Sequence, residues 1–246
     1  RTACDRGKRR PTRGARNSRD GTRGAVASCM QTQRLTESPE GGKTTGIVRQ
    51  FLVSLAATVV FVTIVLVSAG RVMVWQAWVY AGISLGLNLA QRVILSANPE
   101  LAQERAKPGA DARGSDKALL GLGFLLTLAM LLTAGLQLRP TEPPSLSMAW
   151  FFAGVLLELA GAFLFLWALR ENTFFSAVVR IQSDRRHIVC TTGPYRVVRH
   201  PGNLGMILGM LGFPLLFQST WSFVPAGLSV VVLLVRTHLE DALLTR

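Results

Sequence analysis

Charged side chains are scarce in this 246-residue chain. Asp, Glu, Lys and Arg together make up 17% of it, whereas 49% of the residues are hydrophobic and the mean hydropathy is +0.34. A soluble domain of this length carries nearer to about a quarter charged residues. Because the apolar residues also come in long blocks, the sequence predicts a membrane protein rather than one or two soluble domains.

Several familiar signatures are missing as well. The three cysteines, Cys4, Cys29 and Cys190, form no CxxC pair, which argues against a disulfide framework and against a structural zinc site. The three histidines have no ligand spacing, so no metal site is predicted. No GxGxxG supports a soluble dinucleotide-binding fold. The first apolar block has no clear small-residue cleavage site after it, so we expect no cleavable signal peptide.

Positive charge is concentrated in the N-terminal tail. Residues 1–29 hold nine Lys/Arg against two Asp and show no apolar periodicity, which predicts a disordered basic tail that extends to residue 46. Contact with nucleic acid or anionic lipid is one interpretation. We favour another, that residues 1–29 are non-native upstream sequence or an irrelevant tail, because the chain starts without Met and Met30 begins a sensible membrane-protein N-terminus. No nucleic-acid partner is therefore expected, and residues 47–246 form the predicted membrane domain.

Apolar blocks predict an all-α polytopic membrane protein with about six transmembrane segments. The first four blocks have about the 20 residues that a helix needs to cross the hydrocarbon core. The last two are shorter and are joined by only three residues, which predicts a C-terminal helical hairpin. The six segments are residues 51–70, 74–95, 118–138, 148–169, 204–217 and 221–235.

The basic residues in the connections predict the orientation. Residues 30–50, 91–117 and 170–201 hold three, five and six Lys/Arg, whereas the intervening connections hold only Arg71 and Arg139. Because cytoplasmic loops carry the excess of Lys/Arg, both termini are predicted to be cytoplasmic. Within the fourth segment, Glu158 is an intramembrane carboxylate, for which we expect a pairing or polar-cavity role.

The longest predicted cytoplasmic connection carries the motifs. Its β-branched runs "AVVRIQ" and "HIVC" flank "SDRR", as in a short hairpin, and "TTGPY" predicts a turn. Pro201 then starts a helix, whose N-terminus can hold an anion. Arg199 can bind a carboxylate bidentately. Arg236 and Glu240, at i and i+4, lie on one face of the last helix.

Three of these motifs, taken in order, resemble the isoprenylcysteine carboxyl methyltransferase family and its bacterial relatives. They are "FFS-x-x-VRIQ-x-D", "GPYR-x-x-RHP" and the Arg236/Glu240 spacing, and the resemblance covers roughly residues 98–244. The family consists of membrane-embedded enzymes that use S-adenosyl-L-methionine. The resemblance therefore implies methyl transfer at the cytoplasmic membrane face, with a cofactor loop between the fourth segment and the terminal hairpin.

Carried over position by position, the resemblance implies a site in this loop. Arg236 and Glu240 match the acceptor-side pair and are the implied catalytic residues, although a simple intrahelical ion pair is the alternative. Asn203 stands where the family usually has Tyr. Tyr195 is also explained as an interfacial anchor and Cys190 as a small apolar filler. Arg199 is included because it can bind a carboxylate. The predicted cofactor-binding residues are Gln182, His187, Ile188, Val189, Cys190, Tyr195, Arg199, His200, Pro201, Gly202 and Asn203.

The sequence thus predicts S-adenosyl-L-methionine-dependent methylation of a small or lipid-borne acceptor that enters from the bilayer. A carboxylate acceptor is favoured, as in isoprenylcysteine O-methylation. Three alternatives stay open: a phospholipid N-methyltransferase, which shares "RHP" and an acidic pair, an NADPH-dependent membrane sterol-type reductase, and a non-catalytic membrane scaffold. The chain stops at "EDALLTR", where relatives continue, so we expect it to be truncated at its C-terminus.

Overall fold

The computed structural model describes residues 40–98, 101–102, 105, 114–139, 146–173, 175 and 190–244. Six α-helices and one 3₁₀ turn have their bounds in this part, and Leu101, Ala102 and Arg105 are helical as well. No strand occurs in these residues, so the predicted all-α class is confirmed for them. The hairpin predicted around "SDRR" falls on residues 176–189, outside the described part. The helices are α1 Glu40–Ala69, α2 Trp75–Ala97, α3 Gly114–Gln137, α4 Met148–Glu171, α5 Pro201–Leu216 and α6 Phe223–Leu244.

Four helices in the described part are long and apolar enough to cross a membrane, compared with the six predicted spans. These stretches are Phe51–Ala69 of α1, Asp116–Gln137 of α3, the whole of α4, and Phe223–Ala242 of α6. Helix α2 does not qualify because Asn88, Gln91 and Arg92 interrupt its apolar sequence. Helix α5 has only 16 residues. The expectation that the last helix is also short is wrong, since α6 continues to Leu244.

The contact between α4 and α5 is built on glycine. Two glycines of α4, Gly154 and Gly161, face Gly212 and Gly205 of α5, so the helices run antiparallel. A Cβ added at Gly161 would lie 2.5 Å from the carbonyl oxygen of Gly205, and one at Gly205 would lie 2.7 Å from that of Gly161. Small residues permit such close backbone approach in membrane helices. This glycine seam fixes where α5 begins relative to the end of α4.

Helix α2 contacts α1 through a polar side chain. Nδ2 of Asn88 donates to Oγ1 of Thr58 over 3.3 Å, as expected for an interhelical polar contact. Gly82 and Gly86 are spaced four residues apart, yet no atom of the described neighbouring elements lies within 4 Å of a Cβ placed at either. A four-residue spacing of glycines therefore does not by itself mark a helix interface in α2.

A buried polar network closes the α5–α6 turn. Gln218 has a φ of 52°, in the left-handed region, and its Nε2 donates to the carbonyl oxygen of Leu146 over 2.7 Å. Its Oε1 accepts from Nε2 of Gln76 over 3.2 Å. Ser219 donates to Oε1 of Gln137 over 2.7 Å. The network joins α2, α3 and the residues before α4 to this turn, at the end of the bundle that lies away from the predicted site.

Candidate active site

The predicted site residues gather where α3 and α5 begin and where α4 and α6 end, which we call the site end. Here Arg236 pairs with a residue of another helix: its Nε donates to Oδ1 of Asp116 over 2.7 Å. Asp116 lies in the first turn of α3, where the helix dipole favours a carboxylate. The side chains of Asp116 and Arg236 are only 7% and 16% exposed. The ion pair therefore joins α6 to α3 in largely buried surroundings.

The residues that begin α5 are also held by α6. Nε2 of His200 lies 2.8 Å from Oδ1 of Asp241, within hydrogen-bonding distance. Nδ2 of Asn203 donates to Oγ1 of Thr237 over 2.8 Å. Pro201 occupies the first position of α5, where its missing N–H leaves no hydrogen bond unmade. Each of these side chains has a second polar atom, Nδ1 in His200 and Oδ1 in Asn203, that can form a hydrogen bond with a ligand.

A 3₁₀ turn, Gly193–Arg196, sits on the end of α4. Gly193 has a φ of 55°, and a Cβ there would lie 2.6 Å from Cγ of Glu171, so both the conformation and the contact favour glycine. Asn172 donates from Nδ2 to the hydroxyl of Tyr195 over 3.3 Å. Burial raises the pKa of Tyr195 to about 12. Its hydroxyl therefore stays protonated at neutral pH and can donate a hydrogen bond.

The residues just before this turn, Cys190 and Thr192, contact the end of α4 through their side chains. Oγ1 of Thr192 donates to Oε2 of Glu171 over 3.0 Å. Sγ of Cys190 lies 3.8 Å from the carbonyl oxygen of Glu171 and 3.6 Å from Oγ1 of Thr192. Cys190 thus holds the start of the turn, which agrees better with a structural role than with a reactive thiol.

Acidic side chains dominate the centre of the site end. Glu240 lies close enough to Asp116, His200, Arg236 and Asp241 to interact electrostatically with each of them. We call these five residues the polar cluster. It contains three carboxyl groups and one guanidinium, so with the carboxyl groups ionised its formal charge is negative whether His200 is neutral or protonated. A cluster of this charge favours a cationic ligand over an anionic one.

The structure brings together six of the eleven predicted cofactor residues, namely Cys190, Tyr195, His200, Pro201, Gly202 and Asn203. Tyr195 interacts electrostatically with Glu240, which connects the turn to the polar cluster. Arg199 is exposed and takes part in neither ion pair found in the described part of the chain. Gln182, His187, Ile188 and Val189 lie outside the described residues, so their assignment stays a prediction.

Three partner residues were missed by reasoning from the sequence. Asp241 completes an acidic pair with Glu240, a pattern that was noted only for the phospholipid methyltransferase alternative. Thr237 looks like an ordinary helical residue. Asp116 is 120 positions from Arg236 and carries no motif, so no local signal connects the two.

Comparison with known proteins gives one family match. Residues 149–246 match the family model described as phospholipid methyltransferase. The C-terminal part of the chain is similar to this family. The match begins in the first turn of α4 and covers less than half of the chain, so Asp116 lies outside it. No curated protein and no solved structure matches the chain.

The matched family consists of membrane methyltransferases related to the isoprenylcysteine methyltransferase superfamily. The broader resemblance seen in the motifs is therefore supported, while assignment to the isoprenylcysteine carboxyl methyltransferase family itself stays a prediction. Together with the four helices of the described part that are long and apolar enough to cross a membrane, the match supports an integral membrane protein.

Proposed function

We propose that the protein transfers a methyl group from S-adenosyl-L-methionine to the amine of a phospholipid headgroup. The observation that carries this proposal is the charge of the polar cluster, in which Arg236 is already paired with Asp116 at 2.7 Å. A carboxylate acceptor, favoured by the motifs alone, would enter a site whose formal charge is negative. An ammonium headgroup is complementary to it. The similarity of residues 149–246 to phospholipid methyltransferases supports the same acceptor.

The polar side chains around the start of α5 suit the cofactor. S-adenosyl-L-methionine supplies an electrophilic methyl group on a sulfonium cation, together with a carboxylate and an adenine. The neutral hydroxyl of Tyr195 and the amide of Asn203 provide hydrogen-bonding groups for such a molecule. The carboxylates of Glu240 and Asp241 complement a nearby cation. We therefore assign Tyr195, His200 and Asn203 to cofactor binding, with the polar cluster next to them.

The acceptor amine must lose a proton before it can attack. An amine is an ammonium ion at neutral pH, and only its deprotonated form has a lone pair. We propose that Glu240 accepts this proton. The nitrogen–carbon bond then forms as the carbon–sulfur bond breaks, with that electron pair staying on sulfur. Because Asp241 holds His200 and Asp116 holds Arg236, both side chains are oriented beforehand, and an in-line displacement gains most from such positioning.

The Lys/Arg distribution supports a cytoplasmic location for the site end. The connections predicted to be cytoplasmic, residues 91–117 and 170–201, carry the excess of basic residues and lead into α3 and α5, where the site end begins. We propose that the acceptor enters this end from the cytoplasmic leaflet, with both chain termini on the same side.

The proposal is tested with the detergent-purified full chain and methyl-tritiated S-adenosyl-L-methionine. We expect label in the lipid fraction with phosphatidylethanolamine and no label on a farnesylated cysteine. Calorimetry measures cofactor binding in parallel. His200→Ala should weaken cofactor binding and abolish transfer. His238→Ala is the matched control, because His238 is an exposed residue of the same helix as Asp241.

Each alternative predicts a different result. Transfer to the farnesylated cysteine but not to phosphatidylethanolamine would establish a carboxylate acceptor. Binding of NADPH without binding of S-adenosyl-L-methionine would establish a reductase. A folded chain that binds neither cofactor would be a scaffold, and any of the three results would overturn the proposed function.

A further inference from the structure

Arg105 is a partly buried cation at the site end that the proposed reaction does not use. Its guanidinium lies over the ring of Phe175, 5.6 Å from the ring centroid. Its Nε is buried and has no hydrogen-bond partner in the described part of the chain, and neither ion pair found there includes Arg105. Burial lowers the pKa of Arg105, and no carboxylate among the described residues counters this shift.

Phe175 places this cation near the first turn of α5. The ring of Phe175 packs edge-on against Phe165, with centroids 5.5 Å apart, and it covers Gly202. A Cβ added at Gly202 would lie 2.5 Å from Cε2 and Cζ of that ring. The start of α5 has no side-chain cap, so its backbone N–H groups add a positive dipole end close to Phe175.

Arg105 pairs with no anion among the residues that the structure describes. Burying a charge without a partner is unfavourable, and stacking on an aromatic ring offsets only part of that cost. The planar guanidinium is suited to bidentate hydrogen bonds with oxyanions such as phosphate or carboxylate. An anionic ligand group would satisfy Nε and the remaining donors of Arg105 together.

We propose that Arg105, with Phe175 as its platform, binds an oxyanion of a ligand in the site end. This inference rests on the proposed function, which offers two sources: the phosphodiester of the acceptor lipid and the carboxylate of the cofactor. The polar cluster is negative and Arg105 is positive, and both adjoin the start of α5. A zwitterionic headgroup fits this separation of charge, with its amine toward the polar cluster and its phosphodiester toward Arg105.

The test measures ligand binding to the full chain in detergent by calorimetry, independently of methyl transfer. The probes are short-chain phosphatidylethanolamine, short-chain diacylglycerol, S-adenosyl-L-methionine and its decarboxylated analogue. Arg105→Gln should weaken binding of the oxyanion-bearing probe about tenfold, the order expected for losing a charge-assisted hydrogen bond. Arg105→Lys should weaken it less. Arg170→Gln, an exposed charge at the end of α4, is the control.

The pattern of losses identifies the source of the oxyanion. Weaker phosphatidylethanolamine binding, with diacylglycerol and cofactor unchanged, places the phosphodiester on Arg105. Weaker cofactor binding, with its decarboxylated analogue unchanged, places the carboxylate there. Unchanged affinity for every probe in both Arg105 variants overturns the inference. If Arg105→Gln does not fold, Arg105→Met, which also removes the charge and keeps an apolar stem against Phe175, decides in the same way.

The outcome also separates this inference from the proposed function. A wild-type chain that binds no S-adenosyl-L-methionine would defeat the methyltransferase proposal. Phosphatidylethanolamine binding that depends on Arg105 would still stand in that case. Conversely, the Arg105 variants could still transfer methyl groups and bind every probe with unchanged affinity. That result would leave the proposed function intact and show that Arg105 takes no part in ligand binding.

Discussion

Replacing Asp116 by Asn should destabilise the protein through Arg236. The variant keeps the size of the side chain and an oxygen that can accept a hydrogen bond, but it leaves the guanidinium without this counter-ion. Removing one partner of a buried ion pair costs about 3–5 kcal/mol. The side chain of Arg236 is 16% exposed and Asn still accepts a hydrogen bond, so we expect a smaller cost, about 2 kcal/mol. For a chain of this size, that corresponds to a fall in Tm of about 4–8 °C.

Fluorescence-detected thermal unfolding in detergent measures this effect. Lys117→Gln is the matched control, since Lys117 is the exposed neighbour of Asp116, and it should leave Tm unchanged. The double variant Asp116→Asn/Arg236→Gln should have a higher Tm than the sum of the two single losses predicts. In the double variant neither residue is a charge that has lost its partner across the α3–α6 contact. An Asp116→Asn variant as stable as wild type, or strictly additive losses, would refute the argument from the ion pair.

Three further predictions concern other parts of the fold. Gly161→Ala should lower Tm, because its Cβ would lie 2.5 Å from the carbonyl oxygen of Gly205, whereas Gly123→Ala, with nothing within 4 Å, should keep or raise it. Gln218→Gly should melt closer to wild type than Gln218→Ala, since both lose the side-chain hydrogen bonds but only Gly adopts a φ of 52° without strain. Because the pKa of Tyr195 is about 12 in the folded chain and about 10 when unfolded, wild type should lose stability relative to Tyr195→Phe as the pH rises from 10 to 12, and equal pH profiles would contradict this.

The membrane helices were predictable because the signal for them is local. The apolar block at residues 148–169 corresponds to helix α4, Met148–Glu171, within two residues. The last helix was predicted to end at residue 235, since polar residues follow it. In the structure the helix continues, and those polar residues are paired with other elements: Arg236 with Asp116 and Asp241 with His200. An apolar pattern cannot reveal a helical turn that is stabilised by polar contacts across the bundle.

For each polar contact in the candidate site, the sequence identified one residue but not its partner. The "RHP" run and the Arg236/Glu240 spacing located His200, Arg236 and Glu240. Their packing depends on where α3 and α6 lie in space, which motif spacing does not encode. Asp116 in particular has no sequence feature that separates it from an ordinary residue in the first turn of a helix. The charge of the polar cluster, on which the choice of acceptor depends, became visible only in three dimensions.

Because Asp116 belongs to α3, the C-terminal region that resembles phospholipid methyltransferases is not a self-sufficient module. A polypeptide that contained only α4, α5 and α6 would keep the motifs but lose the carboxylate that pairs with Arg236. Two fragments divided between Arg139 and Ser147 and produced together would supply that carboxylate again. The N-terminal half of the chain thus contributes one member of the polar cluster, even though it carries none of the recognisable motifs.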